Sequence, residues 1–440
     1  MLRAAVALMN QRYVQAIVLL LTLLVFSIPN FVSSLNMAGK LEPAWSSAAI
    51  WVKSAECART TKAVLVLCRE GRLVPIADVS AGDDPGPALV LSAYAALTGA
   101  VVVENDVSRV NSILNYIGIG ALAVLLFSLR LPFLAFLVLS VGPQIANQFH
   151  SLTPHPGHLG VACLVSLLPL AIVGIPLASS SRRLFWLWVI IGVVGLAIGM
   201  VFREAIGLMG VLASLLALGT SFSCGIMKLR YPALLCIAIA CGTVLTIWTP
   251  YAILRARDAV LDIAPSERME QHGVWHNLYI GLGVIENPFG IVWNDEYGVA
   301  TVKKISPTTK YLSAEYYAIL RDEYFQIVRH HPLQVVAVYL NKLIIALKTY
   351  TMWLQLVAVA VIFAWLRVLL RRLSPGWMPA DAVFAVSAVF SATFLGQAFL
   401  FNYVELYLFP IKLFLLLLWG VLVELLLALA TAPTPLRYPK

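Results

Sequence analysis

The side chains able to do chemistry in this chain gather in a few polar stretches. Gly82-Asp83-Asp84-Pro85-Gly86 sets two adjacent carboxylates in a turn, because Gly82, Pro85, Gly86 and Pro87 exclude a helix interior there. A carboxylate so placed can take a proton from a hydroxyl as a general base; the same residues also make an ordinary solvated turn. The string FHSLTPHPGHLG carries His150, His155 and His158. Imidazole is the commonest metal ligand, but Pro154 and Pro156 break the i,i+4 spacing that helical zinc sites use. Interfacial or phosphate-binding histidines fit better, and no metal site is assigned. Arg203-Glu204 lies between two apolar runs. An ionised pair beside lipid is costly and marks a functional site by default; the arginine could grip a phosphate with two parallel hydrogen bonds. The alternative is a hairpin turn whose charges reach the headgroups.

The richest stretch is HGVWHNLYIGLGVIENPFGIVWNDE at 272–296. Its glycines argue against regular structure, and its mixture suits a binding loop, with aromatics to stack on a ring and polar groups to hold hydroxyls. His272, His276, Asn277 and Asp295 are its candidate contacts; a well-packed structural loop is the competing reading. The next segment, Ser313–His331, has the period of an amphipathic helix, and packing suits its Tyr316, Leu320, Tyr324, Phe325 and Val328.

These stretches are islands in an apolar chain. Of 440 residues, 60% are hydrophobic and 12% charged, against about 25% charged in soluble domains. Several runs reach the roughly 20 residues that cross a bilayer. The fold class is an all-α polytopic membrane protein, one integral-membrane domain over 1–440. Spans are expected near 14–35, 111–129, 131–147, 158–178, 184–202, 206–224, 231–250, 352–370, 382–401 and 404–430. Between them lie a first large loop at 36–110 and a second at 251–350. In the first, Trp45 and Trp51 suit an interfacial helix, and Ala88–Val103 is an apolar segment lying on or dipping into the surface. Cys57 and Cys68 share this loop, as a disulfide or as two free thiols. Cys163, Cys224, Cys236 and Cys241 sit in apolar runs as packing residues.

Charge settles the ambiguous segment 333–350, which Lys342 and Lys348 interrupt. If it lies along the surface, Arg3, Arg12, Arg130, Arg182, Arg183, Lys228, Arg230, Arg367, Arg371, Arg372, Arg437 and Lys440 fall on one side. That is the cytoplasmic side by the positive-inside rule. The net charge of +9 is therefore a topology signal, with no nucleic-acid partner implied. Both termini are then cytoplasmic and both large loops extracytoplasmic, together with Tyr403 and Glu405 of the last hairpin.

A first span, a large outer loop carrying an acid pair, and a run of helices with short hairpins resemble the GT-C class of integral-membrane glycosyltransferases. That class includes protein O-mannosyltransferases and aminoarabinose transferases. Asp83-Asp84 occupies the place of the class's Asp-Glu pair, which leaves open which of the two acts. The resemblance implies inverting transfer of a hexosyl or pentosyl group from a polyprenyl-phosphate donor to a glycan, lipid or protein acceptor. It implies Asp83 or Asp84 as base, with Arg203, Glu204, His155, His158, His272, His276, Asn277 and Asp295 around the substrates. No cofactor is assigned, and a requirement for a divalent cation is left open. In a bacterial source the expected location is the inner membrane, with the active face periplasmic. An O-antigen ligase or polymerase type of enzyme, using His276-Asn277, is the nearest alternative. A transporter or flippase is the more distant one, and predicts charges and broken helices within the spans.

Overall fold

The computed structural model describes residues 12–38, 46–76, 85–150, 158–178, 181–226, 232–265, 273–371, 376–402 and 408–431. The chain is an almost wholly helical integral membrane protein. Helix α1 runs from Arg12–Thr22 through a widened turn at Leu23–Ser27 into Ile28–Ala38. A small layer follows: α2 (Ser46–Thr61), a hairpin of β1 (Val66–Arg69) and β2 (Arg72–Pro75), and α3 (Pro85–Thr98). The long helices are α4 (Glu104–Ser128), α5 (Pro132–His150), α6 (His158–Ala178), α7 (Arg182–Phe202), α8 (Glu204–Ser223) and α9 (Pro232–Leu245). A tight turn at Thr246–Trp248 leads α9 straight into α10 (Thr249–Leu261). A second small layer holds α11 (Val274–Gly281), α12 (Asp295–Ile305), α13 (Ala314–His330) and α14 (Pro332–Lys348). The chain closes with α15 (Met352–Arg371), α16 (Pro379–Leu400) and α17 (Ile411–Thr431).

Among the described residues, nine helices are long and apolar enough to cross a membrane: α1, α4, α6, α7, α8, the continuous α9–α10, α15, α16 and α17. The further crossing expected near 131–147 corresponds to α5, 19 residues packed against α1, α4 and α17. At the centre stands α6, buried along nearly its whole length and surrounded by α4, α7, α8 and α16. With no hydrophobic drive between helices in lipid, such packing depends on close backbone approach. Gly118 of α4 and Gly160 of α6 supply it, since a Cβ on either would collide with the other helix's backbone. Asn115 then accepts from the Gly160 amide at 2.8 Å, partnering one of the amides that a helix start leaves open.

The two ends of the bundle differ. At one, the turn Leu129–Leu131, Ala178 at the end of α6, Met378–Ala380 at the start of α16 and Glu424 surround a cavity of about 290 Å³. This short-turn end also carries Arg130, Arg182, Arg183 and Arg367, the last paired with Asp381 at 3.0 Å. Both small layers sit at the opposite, loop end. Gly86 of α3 lies against Phe202 at the end of α7, and Gly281 of α11 against Leu400 and Phe401 at the end of α16.

Several sequence expectations are corrected here. Trp51 is 1% exposed in the core of the first small layer, so it packs protein rather than anchoring in an interface. The seventh expected span does not stop at residue 250: Arg255, Arg257 and Asp258 extend the helix to Leu261. That extension works because the Arg257 guanidinium donates to Asp258 Oδ1 at 2.9 and 2.7 Å and to the Leu65 carbonyl at 3.0 Å. The β1–β2 hairpin was not foreseen, although Glu70-Gly71 between apolar runs signals it; both residues have positive φ, as a two-residue hairpin turn needs. Cys57 and Cys68 are joined as a disulfide between α2 and β1.

Candidate functional site

The stretch read as irregular contains a helix. Between Gly273 and Gly281, the residues VWHNLYIG form α11, which buries His276, Tyr279 and Ile280 at i, i+3 and i+4. The glycines bound the helix instead of breaking it. Beyond it the chain folds back on itself, braced by Asn287. Its amide donates to the Ile285 and Ile291 carbonyls at 3.1 and 2.8 Å, and its oxygen accepts from the Phe289 amide at 3.0 Å. This returns the chain to Asn294, whose side chain caps α12 by accepting from the Glu296 amide at 2.9 Å.

The result places three side chains in line. His276 is fully buried; its Nε2 lies 3.1 Å from Asp295 Oδ1, and its Nδ1 lies 2.7 Å from the Tyr316 hydroxyl. Burial pushes the Tyr316 phenol well above its usual range, and Tyr311, Tyr317 and Asp295 nearby push the same way. The Asp295 carboxylate can only accept, so it takes the hydrogen of Nε2 and leaves Nδ1 to accept from the phenol. That assigns the tautomer: Nε2 carries the hydrogen and donates to the carboxylate. Only Asp295 reaches the surface, its side chain 53% exposed. The set is thus an exposed carboxylate oriented from beneath by a histidine that is itself oriented by a tyrosine.

The surroundings hold this line rigid. A Cβ on Gly298 would come within 3.1 Å of both His276 Cε1 and the Tyr316 hydroxyl, so glycine lets α12 lie across the bond between them. Lys303 donates to the Pro307 and Thr309 carbonyls at 2.8 Å each, shaping the loop that sets Tyr311 edge-on to Tyr316. Tyr317 accepts from the Gly273 amide at 3.2 Å, fixing the start of α11, and burial pushes this phenol up to about 12. Underneath, the Lys342 ammonium on α14 donates to the carbonyls of Gly281, Leu400 and Phe401 at 3.0, 3.1 and 3.0 Å. These carbonyls close α11 and α16, where a cation is favoured, while burial opposes the charge and lowers Lys342 to about 7.

The expected aromatic platform is largely spent on packing. Trp275 rests on Phe325 and Tyr279 stacks on Tyr297. Of the other expected site residues, Asn277 lies half-buried on α11, one position after His276. Arg203 and Glu204 form the half-buried junction of α7 and α8 at the loop end. His158 is only 1% exposed at the start of α6, which is too deep for a surface contact. Asp83, Asp84, His155, His272, Tyr403 and Glu405 lie outside the described residues. The segment that follows the acid pair is described: Pro85, Gly86 and Pro87 are buried, with Gly86 against Phe202, the neighbour of Arg203. Sequence reasoning missed Tyr316 as a site member, having assigned it to packing; Lys342 entered only as an interruption of an apolar run. Among the described residues, no group of three or more His, Cys, Asp or Glu side chains could hold a metal ion.

Compared with protein-family models, curated proteins and solved structures, the chain matches none.

Proposed function

We propose that this protein is a membrane glycosyltransferase that moves a sugar from a polyprenyl-phosphate donor to an envelope acceptor at the loop end. The observation that carries the reading is Asp295: an exposed carboxylate, backed by buried His276 and Tyr316, on a compact layer seated directly on membrane helices. A lipid-linked donor must be met at a bilayer surface, and an acceptor hydroxyl needs a base as its oxygen attacks the sugar's anomeric carbon. The proton passes to the carboxylate and the bond to the lipid phosphate breaks. A cation near the departing phosphate would stabilise its charge, and Arg203 is the candidate for that role. Asp83 and Asp84 remain the alternative base, since the segment after them is anchored beside Arg203.

Two features support placing the loop end on the extracytoplasmic side. The Cys57–Cys68 disulfide belongs to an oxidising compartment, and the basic residues of the short-turn end fit the cytoplasmic face. The ligase-type reading, with His276 as the acting base, is less favoured because both ring nitrogens are engaged within the protein. The transporter reading loses support from Glu424, the half-buried acid of α17. It accepts from the Leu134 amide at 3.2 Å and so serves as a cap for α5.

The test is glycan and lipid-linked-sugar profiling of membranes carrying Asp295→Asn, Asp83→Asn or Asp84→Asn at equal expression. Loss of one glycan with accumulation of its lipid-linked donor in any of them supports the transferase reading and assigns the base. Unchanged profiles in all three would overturn it.

A further inference from the structure

Helix α14 starts from the second small layer and ends, through Thr349–Thr351, at α15. Helix α15 then runs to the short-turn end, where Arg367 meets Asp381 at the start of α16. Both ends of α14 therefore belong to the loop end. At 17 residues it is also shorter than the roughly 20 residues that cross a bilayer.

Three different stripes run along this helix. One is buried: Val335, Val338, Tyr339, Lys342 and Ala346 face the second small layer and α16. A second is apolar and open, with Leu333 80%, Val336 51%, Leu340 48% and Ile344 48% exposed. Their steps of three, four and four put them on one face. The third is polar and open: Gln334, Asn341 and Lys348 recur every seven residues. At about 100° per residue it lies roughly a quarter-turn from the apolar stripe. Just before the helix stand exposed Arg329, His330 and His331. Just after it, the open apolar surface continues on α15 as Trp353 52%, Leu354 52% and Val357 56% exposed.

We infer that α14 is an interfacial helix, lying in the leaflet at the loop end with its Leu333–Ile344 stripe in the acyl region. The Gln334–Lys348 stripe stays at the headgroup–water boundary. A helix with distinct apolar, polar and protein-facing sides fits a bilayer surface. The occupant is lipid because the stripe is continuous with the apolar face of α15, a membrane-crossing helix. The basic Arg329–His331 corner sits where anionic headgroups would be. Through Lys342, on its buried side, α14 then sets the height of Gly281, and with it α11 and His276, above the leaflet. The inference concerns placement in the membrane and stands independently of the transferase reading.

The experiment is spin-label accessibility in the full-length protein in phosphatidylcholine vesicles, with and without phosphatidylglycerol. Nitroxides are placed by Leu333→Cys, Leu340→Cys, Ile344→Cys, Gln334→Cys and Asn341→Cys, with Cys224, Cys236 and Cys241 replaced by alanine; buried Cys163 stays. Oxygen, which concentrates in lipid, is expected to outcompete a water-soluble nickel chelate at 333, 340 and 344. The order should reverse at 334 and 341. Nickel dominating at every site would put the stripe in water and overturn the inference. Exclusion of both reagents at 340 and 344 would mean that protein covers the stripe, and would overturn it equally. In each variant, label mobility at its own site matching a folded helix guards against misfolding.

Discussion

Lys342 Nζ lies 3.0 Å from the carbonyl oxygen of Gly281, and this bond joins the helix that carries His276 to the membrane helices. The same ammonium reaches Leu400 and Phe401 at the end of α16. Three carbonyls thus depend on one buried side chain. Lys342→Met keeps the length of the side chain and removes every donor. Leaving buried acceptors unpaired costs about 1–3 kcal/mol per group before relaxation, so the solubilised variant should melt several degrees lower. Lys342→Arg should fall between the two if it regains part of the bonding. Thermal unfolding of the three proteins in one detergent checks this, and equal midpoints would show that the joint contributes nothing.

His276 lies between Asp295 and Tyr316 and makes them one unit. Asp295→Asn should reduce transfer by about two to four orders of magnitude if this carboxylate is the base. Tyr316→Phe removes only the donor to Nδ1 and leaves that buried nitrogen unpaired. His276 would then hold Asp295 less firmly, and transfer should fall by roughly tenfold, the effect of about 1.4 kcal/mol. A packing role alone would leave kcat unchanged in Tyr316→Phe, because the ring is retained. The pH profile separates the two: a weakened His276–Asp295 bond moves its acidic limb, whereas loosened packing lowers the rate at every pH.

Glycine at 298 is a prediction about space. Gly298→Ala inserts a methyl group 3.1 Å from both His276 Cε1 and the Tyr316 hydroxyl. Neither neighbour is the loose end of a flexible side chain, so α12 must move outward and carry Asp295 with it. Transfer should drop more than for Ala300→Ser on the exposed side of the same helix. Equal activity in both variants would show that α12 has room to give.

Much of this architecture is legible from residue patterning, because bilayer thickness imposes span length. The spans at 158–178 and 184–202 agree with α6 and α7 to within two residues. Local signals against a polar background were harder to read. Gly273 and Gly281 look like breakers until α11 is seen to fit between them. Arg257 looks like the start of a loop until the Leu65 carbonyl, 192 residues away in sequence, gives its guanidinium a reason to be buried. Of the site, His276 and Asp295 were visible as reactive types in one stretch. Tyr316 was not, because a tyrosine at helical spacing reads as packing and its bond to His276 is a long-range contact.

The disulfide makes a prediction about compartment as well as stability. Cys57 and Cys68 are 11 residues apart, and closing a loop of that order stabilises by about 3 kcal/mol in the chain-entropy picture. A double Cys57→Ser, Cys68→Ser variant should lower the melting point. In intact cells, a membrane-impermeant maleimide should label the pair only after an external reductant is added. Labelling without reductant would mean free thiols on the outer face and no disulfide, and no labelling even after reduction would place the loop inside and reverse the orientation argued above.

Arg257 offers the sharpest test of how the first small layer is held. Its guanidinium is only 3% exposed, paired with an Asp258 carboxylate that is 8% exposed, and its third contact is the Leu65 carbonyl beside the hairpin. Removing one partner of a buried pair costs about 3–5 kcal/mol, because the remaining charge is stranded. Removing both costs much less. Arg257→Met should therefore destabilise strongly, and adding Asp258→Asn should recover part of the loss. The damage should be local: protease should cut the 46–76 layer faster while α6 at the centre of the bundle stays protected. A double variant as unstable as the single would mean that the Leu65 bond, rather than the stranded carboxylate, dominates. The layer would then depend on one arginine reaching across from the end of α10.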